Sequence, residues 1–288
     1  MVRMPELGDV VAATAAAARG ESVEPLETEL RDGTPAQLRP IRPDDKQRLQ
    51  EGLQLLSPRS RMLRFHARID HLTEEQLRYA TEIDHRDHVA WLALDASEPA
   101  VPGMALGQYV RLAHAPRVAE AAITVVDRYQ GLGLGTIMLA LLAEVALAND
   151  VRVFRNYVLA DNEAMLELFD QLGAERQLIT SNVFEVDLPL PEQLSDLPDT
   201  PAGRAIGALA GDRGPASLLA TISPPVWIQR LRRRRPVPEP DTPLIPEWPE
   251  RGPFADWLDA AFEDAESGEV EPDAGPDESD DGPVPSSR

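Results

Sequence analysis

The sequence predicts a mixed α/β (α+β) domain over residues 34–190. Its sheet is largely antiparallel and flanked by helices. A flexible leader over 1–33 precedes it, and a tail over 191–288 follows. Three observations carry this reading. Residues 118–149 run from an apolar strand through a glycine-rich turn into a long apolar helix. Around that unit the periodicity alternates in the order β, helices, βββ, α, β, α, ββ, with short loops between the middle strands. From Pro189 the composition changes: 17 of the 27 prolines lie between 191 and 288, which excludes long regular elements there.

In chain order, Val10 to Ala18 suits an alanine-rich helix too short to persist without packing. Leu38 and Ile41 suit a short strand, which Pro40 should confine to a sheet edge. Pro43 fits a first helical turn, with Asp44 and Asp45 at its positive end, and Leu49, Leu53 and Leu56 recur at helical spacing. Ser57 caps a second helix with Pro58 in first position, and Thr73-Glu74-Glu75-Gln76 is a capping box for a third. Strands are expected at His88–Leu94, Met104–Leu112 and Val118–Val126, then a helix over 133–149 and a strand at Val151–Leu159. Asn162 should cap a helix that runs to Leu172 and stops at Gly173. A closing hairpin turns at Ser181-Asn182. Residues 259–288 hold 11 acids and one arginine, so that end is expected to be disordered. Two islands interrupt the tail, Trp227–Arg235 and Phe254–Phe262, each a candidate for docking on a partner protein or on the domain.

The turn itself is Gln130-Gly131-Leu132-Gly133-Leu134-Gly135-Thr136. Glycines at alternate positions leave main-chain N–H groups unshielded at a helix start, where they have no intrahelical partner and the helix dipole adds positive charge. That arrangement suits a phosphate or pyrophosphate. The spacing is Gly-x-Gly-x-Gly, neither a dinucleotide fingerprint nor a P-loop. Read as Gln-x-x-Gly-x-Gly after Asp127-Arg128-Tyr129, it resembles the acyl-CoA pyrophosphate loop of the GNAT superfamily of N-acetyltransferases. The opening Leu38-Arg39-Pro40-Ile41-Arg42-Pro43-Asp44-Asp45 is similar to the start of many GNAT domains, and the element order is theirs. Ser57-x-x-Ser60-x-x-x-Arg64-Phe65 and Asp84-x-x-Asp87-His88-Val89-Ala90 resemble the bacterial subgroup that includes protein lysine acetyltransferases. Met62 and His66 stand where that subgroup has aromatic residues.

The resemblance implies a site. The N–H groups of Leu132, Gly133, Leu134, Gly135 and Thr136, with Gln130 and Gly131 in the same loop, would hold the pyrophosphate of acetyl-CoA. The main chain of Val125 and Val126 would hold the pantetheine arm, in a gap where the central strand splays from its neighbour. Acetyl transfer also needs an amine to lose its proton and an oxyanion to be stabilised. Glu120 is the base candidate: small apolar neighbours should partly desolvate its carboxylate and raise its pKa. Its alternative is an exposed strand-edge glutamate. His88, His85 and His114 are other candidate bases, and Asp127 reads as a turn residue. Asn162 would bond the pantetheine or a water, or simply cap its helix. The family protonates the leaving thiolate with a tyrosine seven residues after that asparagine. Here the position is Phe169, so water or another group must serve.

Composition narrows the function. There is no cysteine, hence no disulfide, thiolate metal site or cysteine nucleophile, and the five histidines show no ligand spacing, so no metal is expected. A net charge of −21 argues against nucleic-acid binding. No run is long and apolar enough for a membrane span, and no signal peptide is evident, so a cytoplasmic protein is expected. Lys46 is the only lysine, which leaves a lysine-modifying enzyme few targets on itself. The expected activity is acetyl transfer from acetyl-CoA to a primary amine, a protein lysine first and a small amine second. The rival is a catalytically weak acyl-CoA-binding sensor or scaffold.

Overall fold

An eight-stranded sheet organises the chain, in the order β1-β2-β3-β4-β5-β6-β8-β7. The computed structural model describes residues 7–67 and 69–210. The strands are β1 Leu26–Glu29, β2 Pro35–Pro40, β3 His88–Asp95, β4 Ala105–Leu112, β5 Ala115–Val125, β6 Val153–Leu159, β7 Glu175–Leu178 and β8 Val183–Pro189. Every pairing is antiparallel except β5 with β6. The helices are α1 Leu7–Ala18, α2 Lys46–Gln54, α3 Pro58–Phe65, α4 Glu74–Thr81, α5 Leu134–Ala148, α6 Glu163–Gln171 and α7 Pro201–Ala210. Helix starts follow the expected caps. Ser57 accepts from the Ser60 N–H with Pro58 next in line, Thr73 and Gln76 form the reciprocal box, and Asn162 accepts from the Met165 N–H.

The two faces of the sheet carry different layers. On one, α5 lies across β4 so closely that a Cβ at Gly107 would come within 3.0 Å of Met138 and 3.2 Å of Leu142. Gly107 therefore sets the depth to which α5 sinks. On the other face α3 meets β5, and α2 and α4 pack against each other.

The ends of the domain differ from expectation. Residues 7–18 are not a loose leader. Val10 and Ala13 are buried, α1 packs on α5 and β2, and the Trp91 indole N–H donates to Thr14 Oγ1 at 3.1 Å. Packing supplies what twelve residues of helix lack alone. The leader also contributes β1, so β2 is internal rather than an edge strand. Pro40 is tolerated because β1 pairs only as far as Leu38. At the other end, the segment after Pro189 stays folded to Ala210. Leu194, Ala202, Ala205 and Ile206 are buried, and α7 packs on α5 and α6. The expected islands at 227–235 and 254–262 lie outside the described residues. Among those described, no helix is long and apolar enough to cross a membrane.

Candidate active site

The parallel strands β5 and β6 pair over only three positions, Val118 with Val153, Ala119 with Phe154 and Glu120 with Arg155. Beyond them β5 runs on to Val125 and β6 to Leu159 without pairing to one another. Glu120 thus stands where the strands part, as the splay expectation requires. Main-chain groups alternate along a strand, and the Val126 N–H points at β4, donating to Met104 O at 2.9 Å. Ala121, Ile123 and Val125 therefore turn their main-chain groups toward the gap. This corrects the expectation for Val126. Its N–H is occupied by β4 and its carbonyl accepts from the Tyr129 N–H, so of the two valines Val125 faces the gap.

The glycine loop follows directly. Gly131 and Gly133 have φ of 78° and 92°, left-handed values that a side chain would strain. Among the described residues, the N–H groups of Leu132, Gly133, Leu134 and Gly135 donate to no protein oxygen. The Thr136 N–H instead donates to Gly133 O at 3.1 Å and is already engaged. Four neighbouring free donors at the start of a fifteen-residue helix fit an anionic group. The Gln130 amide donates to Val125 O at 3.0 Å and to Ser60 Oγ at 3.4 Å, tying the loop to the end of β5. Asp127 does more than turn the chain. It accepts from Ser57 Oγ at 2.7 Å, Ser60 Oγ at 3.0 Å and the Ser57 N–H at 3.0 Å, and so locks the start of α3 to the loop.

Register places the polar residues of one face in rows. His88, Val110, Glu120, Arg155 and Asp187 lie side by side across β3, β4, β5, β6 and β8. Glu120 is 7% exposed, so it is not a strand-edge glutamate in water. Arg64 shares its surroundings. Burial pushes the Arg64 guanidinium down to about 10, the Glu120 carboxylate pulls it back up, and Arg64 Nε donates to Thr124 Oγ1 at 2.8 Å. Two residues along β6 from Arg155, on the same face, is Tyr157. Burial first, then the Glu185 and Glu120 carboxylates, hold its phenol well above the ordinary tyrosine value. Arg155 grips Asp187 with two bonds, of 2.9 and 2.7 Å. Between α2, α3, α4 and strands β3–β5 the same face opens into an apolar cavity lined by Leu53, Phe65, Tyr79, Leu92, Leu106 and Thr124, with the Arg64 side chain among its walls.

The alternative bases stand apart from this centre. His88 shares the row but Val110 intervenes, and burial lowers its pKa to about 4, with Asp84 opposing and His85 assisting. His85 is buried beside it and is also lowered by burial. His114 is exposed in the β4–β5 turn, at the end of β5 away from the glycine loop. Asn162 is an N-cap, bonded to the Met165 N–H at 3.4 Å. Phe169 is buried in the core.

Residues 55–174 match the acetyltransferase (GNAT) family. An acetyltransferase of Pseudomonas aeruginosa is 31% identical over 144 residues, covering 50% of this chain and 77% of that protein. The chain belongs to the GNAT acetyltransferase family. A second relative, acetyltransferase Pat of Mycolicibacterium smegmatis, is 33% identical over 169 residues, and the match covers 58% of this chain but only 50% of that protein. Among solved structures, the GNAT domain of S. lividans PAT superposes with a TM-score of 0.53 at 28% identity, covering 58% of this chain and 97% of that domain. The mixed α/β GNAT fold with its largely antiparallel sheet is therefore shown.

Three residues of this candidate site escaped sequence reasoning. Arg64 sat inside a quoted motif but carried no assigned role. Tyr157 was legible in principle, since alternation along β6 puts it on the Arg155 face. Arg31, which reaches the glycine loop from 100 residues away, left no local signal.

Proposed function

We propose that this chain transfers an acetyl group from acetyl-CoA to the side-chain amine of a protein lysine, with small-molecule amines as the second acceptor class. The observation that carries the reading is the buried Glu120 at the point where β5 and β6 part, on the same face as an apolar cavity and on the strand that leads into four free N–H donors. The donor thioester would supply the activated acyl group in the gap. The N–H groups of Leu132, Gly133, Leu134 and Gly135 would bind its phosphates, and the Val125 main chain its pantetheine arm. Glu120 takes the proton from the incoming ammonium, directly or through a water. Arg64 positions the Glu120 side of the cavity. Tyr157, on the opposite lip of the gap, supplies the hydroxyl that Phe169 lacks and returns a proton to the thiolate. A raised phenol pKa keeps that proton in place at neutral pH.

The apolar cavity walls favour an acceptor with an aliphatic stem behind its amine, which describes lysine better than a polyhydroxylated amine. A net charge of −21 would attract such cationic acceptors. Because acetyl-CoA is a cytoplasmic metabolite, a cytoplasmic location accords with the reading. Glu120→Gln is expected to keep acetyl-CoA binding by calorimetry and to lower transfer roughly 100-fold or more in a thiol-release assay. Undiminished transfer by that variant would remove Glu120 from the role of base.

A further inference from the structure

Arg31 sits on the turn between β1 and β2, outside the residues that match the family. The turn is stiff. The Leu30 N–H donates to Thr34 O at 2.8 Å, the Gly33 N–H to Leu30 O at 3.0 Å, and the Thr34 N–H to the Asp32 carboxylate at 3.0 Å, with Gly33 at φ 89°. Leu30 anchors it at 2% exposure. This turn is docked on the glycine loop. The Arg31 N–H donates to Leu132 O at 3.2 Å and its guanidinium to Gly131 O at 3.4 Å. The guanidinium Nε lies 3.4 Å from where a Cβ on Gly133 would be.

The chain has 49 acidic residues against 28 basic ones. Some arginines find carboxylates, as Arg39 finds Asp45 and Arg155 finds Asp187. Arg31 bonds only to main-chain carbonyl oxygen among the described residues, and burial lowers its pKa with no carboxylate to offset the loss. A part-buried guanidinium beside a cluster of free N–H donors is the pairing that binds phosphate. We propose that Arg31 is a ligand for a phosphate of the acyl-CoA donor, so that the segment before the family-matched core completes the donor site. This rests on the acetyl-CoA reading above.

The test uses the full chain, with Arg31→Ala and Arg31→Lys, and three donors: acetyl-CoA, its 3′-dephospho form, and S-acetylpantetheine, which has no phosphate. Arg31→Ala is expected to weaken acetyl-CoA binding and raise its KM by roughly tenfold or more, as loss of a charge-assisted hydrogen bond does. Arg31→Lys recovers part of the loss, and S-acetylpantetheine is turned over equally by both chains. A penalty that persists with the 3′-dephospho donor assigns Arg31 to the pyrophosphate; one that vanishes assigns it to the 3′-phosphate. Unchanged acetyl-CoA binding by a folded Arg31→Ala chain overturns the proposal, as does an equal loss on S-acetylpantetheine, which would mark a structural role. Failure of the unsubstituted chain to bind acetyl-CoA would instead overturn the donor assignment, and Arg31 with it.

Discussion

At the scale of single residues, the site is a set of charges held apart by burial and register. Glu120 and Arg155 are neighbours across β5 and β6, yet Arg155 directs Nε and Nη2 to Asp187, with Glu185 also 3.6 Å from Nη2. The Glu120 carboxylate also acts electrostatically on the Arg64 guanidinium. Tyr157 lies two residues along β6 from Arg155, on the same sheet face as Glu120 but across the gap from it. Tyr157→Phe is expected to lower kcat roughly tenfold or more while leaving the KM for acetyl-CoA near its original value, because a proton donor acts after binding. Steady-state kinetics with acetyl-CoA as the varied substrate checks this, and an unaltered kcat would return the role to water. The one lysine is also accounted for. Lys46 is held by Glu74 at 2.8 Å and Glu82 at 2.9 Å, and those partners raise its pKa. Acetylation needs the neutral amine, so under the proposed lysine-acetylating activity Lys46 would be a poor target.

At the scale of elements, α5 explains why the domain is longer than its sequence suggested. A helix apolar on one stripe needs one partner. α5 is apolar around most of its circumference and buries nine of its residues, so it needs cover on several sides. The sheet covers one side, and α1 and α7 supply two others. Both flanking helices come from stretches whose composition argued against stable structure. Composition reports what a segment does alone, and these segments do not stand alone. A chain ending at Ala210 is expected to melt at a higher temperature than one ending at Pro191, since the shorter form strips Leu194 and Ile206 from the α5 flank. Within the longer form, Ile206→Ala should cost about 2–4 kcal/mol of stability. Thermal melts followed by circular dichroism compare all three, and equal melting temperatures would show that α7 does not support α5.

At the scale of the whole molecule, stability should depend on pH in a direction set by its buried histidines. Burial lowers His66 and His88 from 6.5 to about 4, with Arg64 assisting at His66, and burial lowers His85 as well. A histidine with a depressed folded-state pKa takes up its proton first in the unfolded chain. Stability is therefore full above about pH 6.5 and declines as pH falls toward 4. His88 Nε2 is buried with no hydrogen-bond partner among the described residues, and its ring packs against Tyr79 with centroids 5.0 Å apart. His88→Phe should therefore shrink the fall in melting temperature between pH 7 and pH 5, and an unchanged slope would exclude His88 as a source. Much of the molecule was legible beforehand for a physical reason: helix caps, strand alternation and the glycine turn are local, and local chemistry is written in consecutive residues. Glu120 could be read as the base candidate because small neighbours on one strand announced its burial. By itself, then, the sequence determined the element order, the family, the phosphate-type loop and the carboxylate on the strand that feeds it. Only the tertiary structure decided that the leader and the first turns after the sheet belong to the domain. It also decided that Val126 is occupied, that Tyr157 shares the face of Glu120, and that Arg31 reaches the loop. Each of these depends on which distant segment lies alongside, and the energy of that choice comes from contacts between residues the chain separates widely.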